Sequence, residues 1–140
     1  MKYVYDDGGR AAAGFKGETG DCVCRAISIA TGRPYAEIYR ELNEACKKAK
    51  GKRKSSARTG ISPEVTRAYM ASIGWEWVPT MTIGSGCKVH LRDGELPDGR
   101  IIAKVTSHVV AVIDGVIHDN HDPSRGGTRC VYGYYREGGK

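Results

Sequence analysis

Long apolar runs, an export signal and glutamine are all missing from this 140-residue chain. The longest apolar stretch without a charge, Val109 to Ile113, is far too short to span a bilayer. The first ten residues, MKYVYDDGGR, carry two acids and no apolar signal-peptide core, so no secretory leader is expected. Without export the expected location is cytoplasmic. Cysteines are few, odd in number and irregularly spaced: Cys22, Cys24, Cys46, Cys87 and Cys130. That pattern argues against a disulfide framework and for thiols, buried or reactive. No internal repeat is present. A composition of 40% hydrophobic and 27% charged residues excludes collagen-like, fibrous and disordered classes. The length is that of one domain, 1–140, able to bury a core without staples.

What is there begins with charge. The net charge is +6. Residues 47–58, KKAKGKRKSSAR, hold Lys47, Lys48, Lys50, Lys52, Arg53, Lys54 and Arg58 and no acid. The rest of the chain is close to neutral, so the positive excess is local. We read 47–60 as a solvated basic loop, available to an acidic substrate or partner.

Residues 1–19 are rich in Gly and Ala and read as irregular, with a short strand at Tyr3 to Tyr5. A helix starts near Gly20, with Thr19 or Asp21 as its cap and Gly32 as its stop. Val23, Ala26, Ile27 and Ala30 form its apolar face. A second helix begins at Pro34 and dissolves around Lys50 and Gly51. A third is announced by Ser62-Pro63-Glu64 and ended by Gly74. Strands follow: Trp75 to Thr82, Cys87 to Leu91, Arg100 to Val105, Val109 to Ile113, Val116 to Asp119, and Arg129 to Tyr135. Helices first and strands after predict an α+β fold with an antiparallel sheet.

Cys22 falls in the first turn of the first helix. There the helix dipole and unpaired backbone amides favour a thiolate and can hold an oxyanion. Cys24 lies about 200° further around the helix, so the two thiols cannot enter one cleft. Cys22, next to the turn at Gly20-Asp21, is the favoured nucleophile; Cys24 is read as a small core residue.

A thiolate nucleophile needs a base, and the base an orienting group. Asp114-Gly115 is a strong two-residue hairpin signal, and it sets the register of the strands it joins. Ile113 then opposes Val116, and His108, Val110, Val112, Ile117, Asp119 and His121 share one face. His108 and Asp119 become diagonal neighbours, within about 7–8 Å backbone to backbone, so that a carboxylate can reach an imidazole nitrogen. Asn120 falls on the opposite face and is the lesser candidate.

A Gly-Asp-Cys that opens a helix, a strand that begins with His and a hairpin that ends in Asp resemble the papain-like cysteine peptidase superfamily. The likeness is to its compact bacterial and phage branch, which includes bacteriocin-leader peptidases and bacterial transglutaminase-like proteinases. It is carried by GDCVCRAISIATGRPY (20–35) and SHVVAVIDGVIHDNHDPS (107–124). The resemblance implies a nucleophile helix packed on an antiparallel sheet. It also implies Cys22 as nucleophile, His108 as general base and acid, and Asp119 as its orienting acid. The expected activity is a thiol hydrolase, peptidase or amidase, acting by acyl transfer on a peptide or protein without cofactor or metal. One departure stands out: papain-like enzymes place an oxyanion-hole Gln shortly before the Cys, and Lys16 occupies that offset here. The Cys22 amide with Thr19, Lys16 or Asn120 is the remaining source of oxyanion or supporting contacts. His121, Trp75 and Trp77 are candidates for lining the cleft.

Two rivals were weighed. His118, His121, Cys130 and a helix cysteine could supply four zinc ligands, but their spacing matches no standard site, and the two His lie on opposite strand faces. The basic segment could meet nucleic-acid phosphates, yet no aromatics interleave it for base stacking, so nucleic acid is not the expected partner. The non-enzyme alternative is a binding or inhibitor module that kept the fold and uses its basic loop.

Overall fold

The structure, a computed structural model, describes residues 1–16, 20–49, 56–58, 60–82 and 84–138. Its order is β1 (Lys2–Tyr5), α1 (Cys22–Thr31), α2 (Tyr35–Lys48), α3 (Pro63–Ser72), β2 (Trp75–Pro79), β3 (Arg100–Val105), β4 (His108–Ile113), β5 (Val116–Asp119) and β6 (Gly133–Glu137). The six strands form one sheet, ordered β1-β5-β4-β3-β6-β2. The α+β class stands. The sheet, however, is mixed rather than antiparallel, because β1 runs parallel to β5, with Tyr3 beside Ile117 and Tyr5 beside Asp119. The N-terminal strand reaches across the molecule to cover the open edge of β5, which local sequence signals do not reveal.

The helices obey their local signals. In α3, Ser62 accepts the Val65 N–H and Pro63 opens the first turn. Gly32 ends α1 in the left-handed conformation at φ 74°. At the start of α1 the expectation fails: Asp21 makes no capping bond to the helix, its carboxylate being engaged elsewhere, and Thr19 lies outside the described residues. Helix α2 carries Lys47 and Lys48 in its last turn, so part of the basic run is helical. Lys50, Lys52, Arg53 and Lys54 lie outside the described residues.

Strands β4 and β5 keep the expected register: Ile113 opposes Val116, Val112 opposes Ile117, and Ala111 opposes His118. Asp114 (φ 49°) and Gly115 (φ 77°) both take positive φ, as a type I′ turn requires. Cys87 to Leu91 is not a strand; only His90 bridges to Cys130 there. The last strand begins at Gly133 instead of Arg129.

Apolar residues are buried on both sides of the sheet. On one side Val109, Ala111 and Ile102 pack with Val23, Ile27, Ile38 and Leu42 of α1 and α2. On the other, Ile101, Val110, Val112 and Ile117 are covered by Leu91 and Val131, flanked by Val89 and Leu96. The 87–98 segment thus closes the face the helices leave open. It also holds a correction: Cys87 and Cys130 form a disulfide, with Cα atoms 5.9 Å apart. The two cysteines are 43 positions apart, and their spacing carries no sign of pairing, which depends on this segment folding back.

Candidate active site

Helix α1 is buried along nearly its whole length, from Val23 to Ala30. Its first residue, Cys22, is only partly covered and sits at the floor of a cleft of about 500 Å³. As the first helical residue, Cys22 has a backbone N–H with no acceptor inside the helix. His108 and the Val109 backbone amide are the neighbours that act on the thiol. Burial opposes its ionisation, but His108, the Val109 amide and the Arg25 charge outweigh it and lower the Cys22 pKa below the ordinary thiol value. Cys24 is the opposite case. It is fully enclosed against the Tyr35 carbonyl, and burial pushes its thiol up to about 12.

His108 opens β4, directly after Ser107, which turns the chain at φ 56°. Its Nε2 lies 2.7 Å from Asp119 Oδ2, leaving Nδ1 as the ring nitrogen available to the thiol. Burial would lower the His108 pKa, yet the bonds to Asp119 and Cys22 raise it to about 9. Asp119, at the end of β5, is 1% exposed. Burial would raise its pKa, but His108 and Arg25 hold it below the ordinary carboxylate value. The three side chains therefore favour a thiolate–imidazolium pair backed by a carboxylate.

Beneath them lies a buried charge network absent from the sequence reading. The Nε and Nη2 of Arg25 each lie 3.0 Å from Asp119 Oδ1. Its Nη1 donates to Asp21 Oδ1 at 2.6 Å. Tyr35 donates its hydroxyl to Asp21 Oδ2, also at 2.6 Å, and Arg10 approaches the same oxygen at 3.7 Å. Arg25 is thus fixed between two carboxylates, and Asp119 presents its other oxygen to His108. Sequence did hold a signal: Asp21 and Arg25 flank Cys22 at the i,i+4 spacing of a helical ion pair.

The other expected residues divide. His121 is exposed at the cleft, its ring centroid 5.1 Å from that of His108. Asn120 lines the cleft as well, with its Oδ1 2.7 Å from His121 Nδ1. The strand ends at Asp119, so face alternation does not govern Asn120. Lys104, Ser107, Gly60 and Ile61 complete the walls. Lys16 is not brought in; its carbonyl accepts bonds from Arg10 and Arg58. Trp75 is a core residue. Trp77 packs on Tyr135 under the Arg67 guanidinium, on the edge strand far from β4 and β5. Of the basic segment, Lys47 and Lys48 are exposed on α2, with Lys47 3.5 Å from Glu44. The described end of that segment comes closer, since Gly20 donates to the Arg58 carbonyl at 2.8 Å just before the nucleophile.

His108, Asp119 and His121 place ligand atoms within 4.8 Å of one another, a set that could hold a divalent cation. An ion there would have to displace the His108–Asp119 bond and share Asp119 with the Arg25 cation. The other cation reading, four zinc ligands including Cys130 and His118, is not assembled: Cys130 is in the disulfide, and His118 faces Asp6 at 3.7 Å.

Comparison with known proteins adds one partial likeness. The chain is 32% identical over 78 residues to a vanillate O-demethylase oxidoreductase of Acinetobacter baylyi, a match covering 56% of this chain. The match spans about a quarter of that protein's length, 24%. No family model matches the chain, and no solved structure matches it. No helix among the described residues is long and apolar enough to cross a membrane.

Proposed function

We propose that the protein is a cysteine-dependent acyl-transfer enzyme, a peptidase or amidase with a papain-like arrangement of helix and sheet. The observation that carries this reading is the place of His108, which shares an open cleft with Cys22 and holds the buried Asp119 behind it, Nε2 2.7 Å from Asp119 Oδ2. The Cys22 thiolate attacks a substrate carbonyl carbon, and the C=O electrons move onto oxygen. As that oxyanion collapses, the C–N bond breaks and His108 gives its proton to the departing amine. His108 then takes a proton from water, which attacks the thioester and frees Cys22 and a carboxylic acid. The oxyanion meets the Cys22 N–H at the head of α1, with the Asn120 carboxamide of the cleft wall as a second donor. Asp119, held by Arg25, keeps His108 in the tautomer that addresses the thiol.

The substrate is a peptide or protein. The basic segment ends beside the nucleophile, which suits an acidic partner docking over the cleft. A cytoplasmic site of action and a chemistry without added cofactor complete the proposal. The activity rests on this cleft, not on the name of the Acinetobacter protein.

The test is the rate of alkylation against pH, read cysteine by cysteine by peptide mapping, for the wild type and His108→Ala. Cys22 should react well below the free-thiol range of about 8.5 and lose that advantage without His108. A Cys22 that reacts no faster than Cys24, and ignores the His108 change, sinks the enzyme reading. The binding-module alternative would then be tested by salt-dependent affinity for polyanions.

A further inference from the structure

The disulfide at Cys87 is not an isolated cross-link. Cys87 is exposed, and its Sγ lies 3.6 Å from His90 Nε2. The other ring nitrogen, Nδ1, is 3.1 Å from Glu95 Oε1, and that same oxygen accepts the His90 backbone N–H at 3.1 Å. Arg92 holds the second Glu95 oxygen. His90 is therefore oriented on one side by a carboxylate, with its remaining nitrogen turned to a sulfur. A structural staple has no use for an imidazole aimed at it; an exchanging sulfur does. A ring N–H there donates to the thiolate released when the bond to Cys87 breaks.

Backbone hydrogen bonds also join the two segments that the disulfide links. Leu91 donates to the Arg129 carbonyl and Val131 to the Val89 carbonyl, both at 2.8 Å. These two backbone bonds hold the 87–91 and 129–131 segments together whether or not the sulfurs are joined. Leu91 and Val131 are fully buried beneath the sheet. Reduction thus leaves two thiols facing each other rather than two freed loops.

We propose that Cys87 and Cys130 form a thiol–disulfide exchange site, with Cys87 as the exchanging sulfur, Cys130 as the resolving sulfur and low-molecular-weight or peptide thiols as substrate. A thiolate RS⁻ attacks the exposed Cys87 sulfur, the S–S bond breaks, and Cys130 leaves as a thiolate that takes up a proton. A second RS⁻ attacks the R sulfur of the mixed disulfide, and Cys87 leaves as a thiolate beside His90. The protein disulfide gains two electrons, and two thiols become RSSR. In reverse, Cys87 is the nucleophile towards an external disulfide, and Cys130 closes the bond. The site is independent of Cys22 and stands or falls without it.

The experiment mixes the folded protein with glutathione and glutathione disulfide at a series of ratios, quenches with acid at successive times up to equilibrium and maps each cysteine by mass spectrometry. Wild type, His90→Ala and Cys130→Ser are compared, with circular dichroism following the fold. The expected results are a reversible Cys87–Cys130 couple with the fold retained and a glutathione adduct trapped on Cys87 in Cys130→Ser. Exchange should slow roughly threefold in His90→Ala, because a thiolate pKa higher by about one unit cuts the thiolate fraction while a Brønsted slope of about 0.5 returns part of the loss. A bond that resists reduction while the protein is folded, a fold lost on reduction, or His90→Ala exchanging at the wild-type rate would each overturn the proposal. So would an adduct placed on Cys130. Should Cys130→Ser fail to fold, the wild-type and His90→Ala rates decide alone.

Discussion

Two cysteine–histidine–carboxylate groups in this chain differ chiefly in what surrounds them. Cys22, His108 and Asp119 meet at the foot of a helix, with Asp119 almost wholly buried and tied to a buried arginine. Cys87, His90 and Glu95 meet on a surface segment within nine residues of one another. In the first, fixed charged and hydrogen-bonding partners outweigh burial, so that the Cys22 pKa falls while that of His108 rises to about 9. In the second, His90 and Glu95 are half-buried and a partner sulfur occupies the exposed thiol. Similar residues therefore serve different chemistry: carbon–nitrogen bond cleavage in a cleft, and sulfur exchange at a surface.

Removing the reacting groups should separate them most sharply. Cys22→Ala or His108→Ala should reduce amide turnover on the order of 10³–10⁶-fold, the range for losing a triad member, measured on a peptide-amide library. Neither change should affect exchange at Cys87. Asp119→Asn should lower turnover about 10²–10⁴-fold by releasing His108 from its tautomer. Arg25→Leu tests the support beneath. It strands two buried carboxylates and should cost about 3–5 kcal/mol in urea unfolding. Arg25→Lys should recover part of that loss. Glu95→Gln, its surface counterpart, should cost no more than about 1 kcal/mol.

The pH dependence sharpens the contrast further. Turnover should be bell-shaped, rising as Cys22 ionises below the ordinary thiol range and falling as His108 loses its proton near 9. Because the His108 pKa is raised on folding, its stabilising contribution is complete below its unfolded value of about 6.5. That contribution is lost as pH rises through about 9. Asp119 acts in the opposite sense: its pKa is lowered on folding, so its contribution disappears as pH falls through the folded value, below 3.8. Urea unfolding as a function of pH should therefore show a loss on each side, and in His108→Ala the alkaline loss should shrink to the part left by buried groups such as Cys24, whose thiol is pushed up to about 12. The smallest effect belongs to the basic run. Lys47→Ala with Lys48→Ala should change stability by less than about 0.5 kcal/mol, because both side chains are solvated.

The hairpin shows how much of the site could be read in advance. Asp114-Gly115 accepts positive φ at low cost, that turn sets the register, and a period of two then puts His108 and Asp119 together. The helix start placed a thiol at unpaired amides. The same alternation turns Asn120 to the opposite face, but the strand stops one residue before it. Trp75 and Trp77 offered large rings without an address, and the sheet order carried them to the edge remote from the cleft. The disulfide was missed because nothing in the chain between its cysteines announces the turn-back.

Local chemistry by itself therefore determined the helices, the hairpin and the pairing of His108 with Asp119, all of which depend on backbone preferences over a few residues. Tertiary structure decided that β1 would run parallel to β5, that α1 would bring Cys22 to His108, and that Arg25 would lie between Asp21 and Asp119. It also decided which cysteines would meet. These depend on contacts between segments far apart in sequence, where burial in a shared core sets the geometry and removes the water that would otherwise screen the charges.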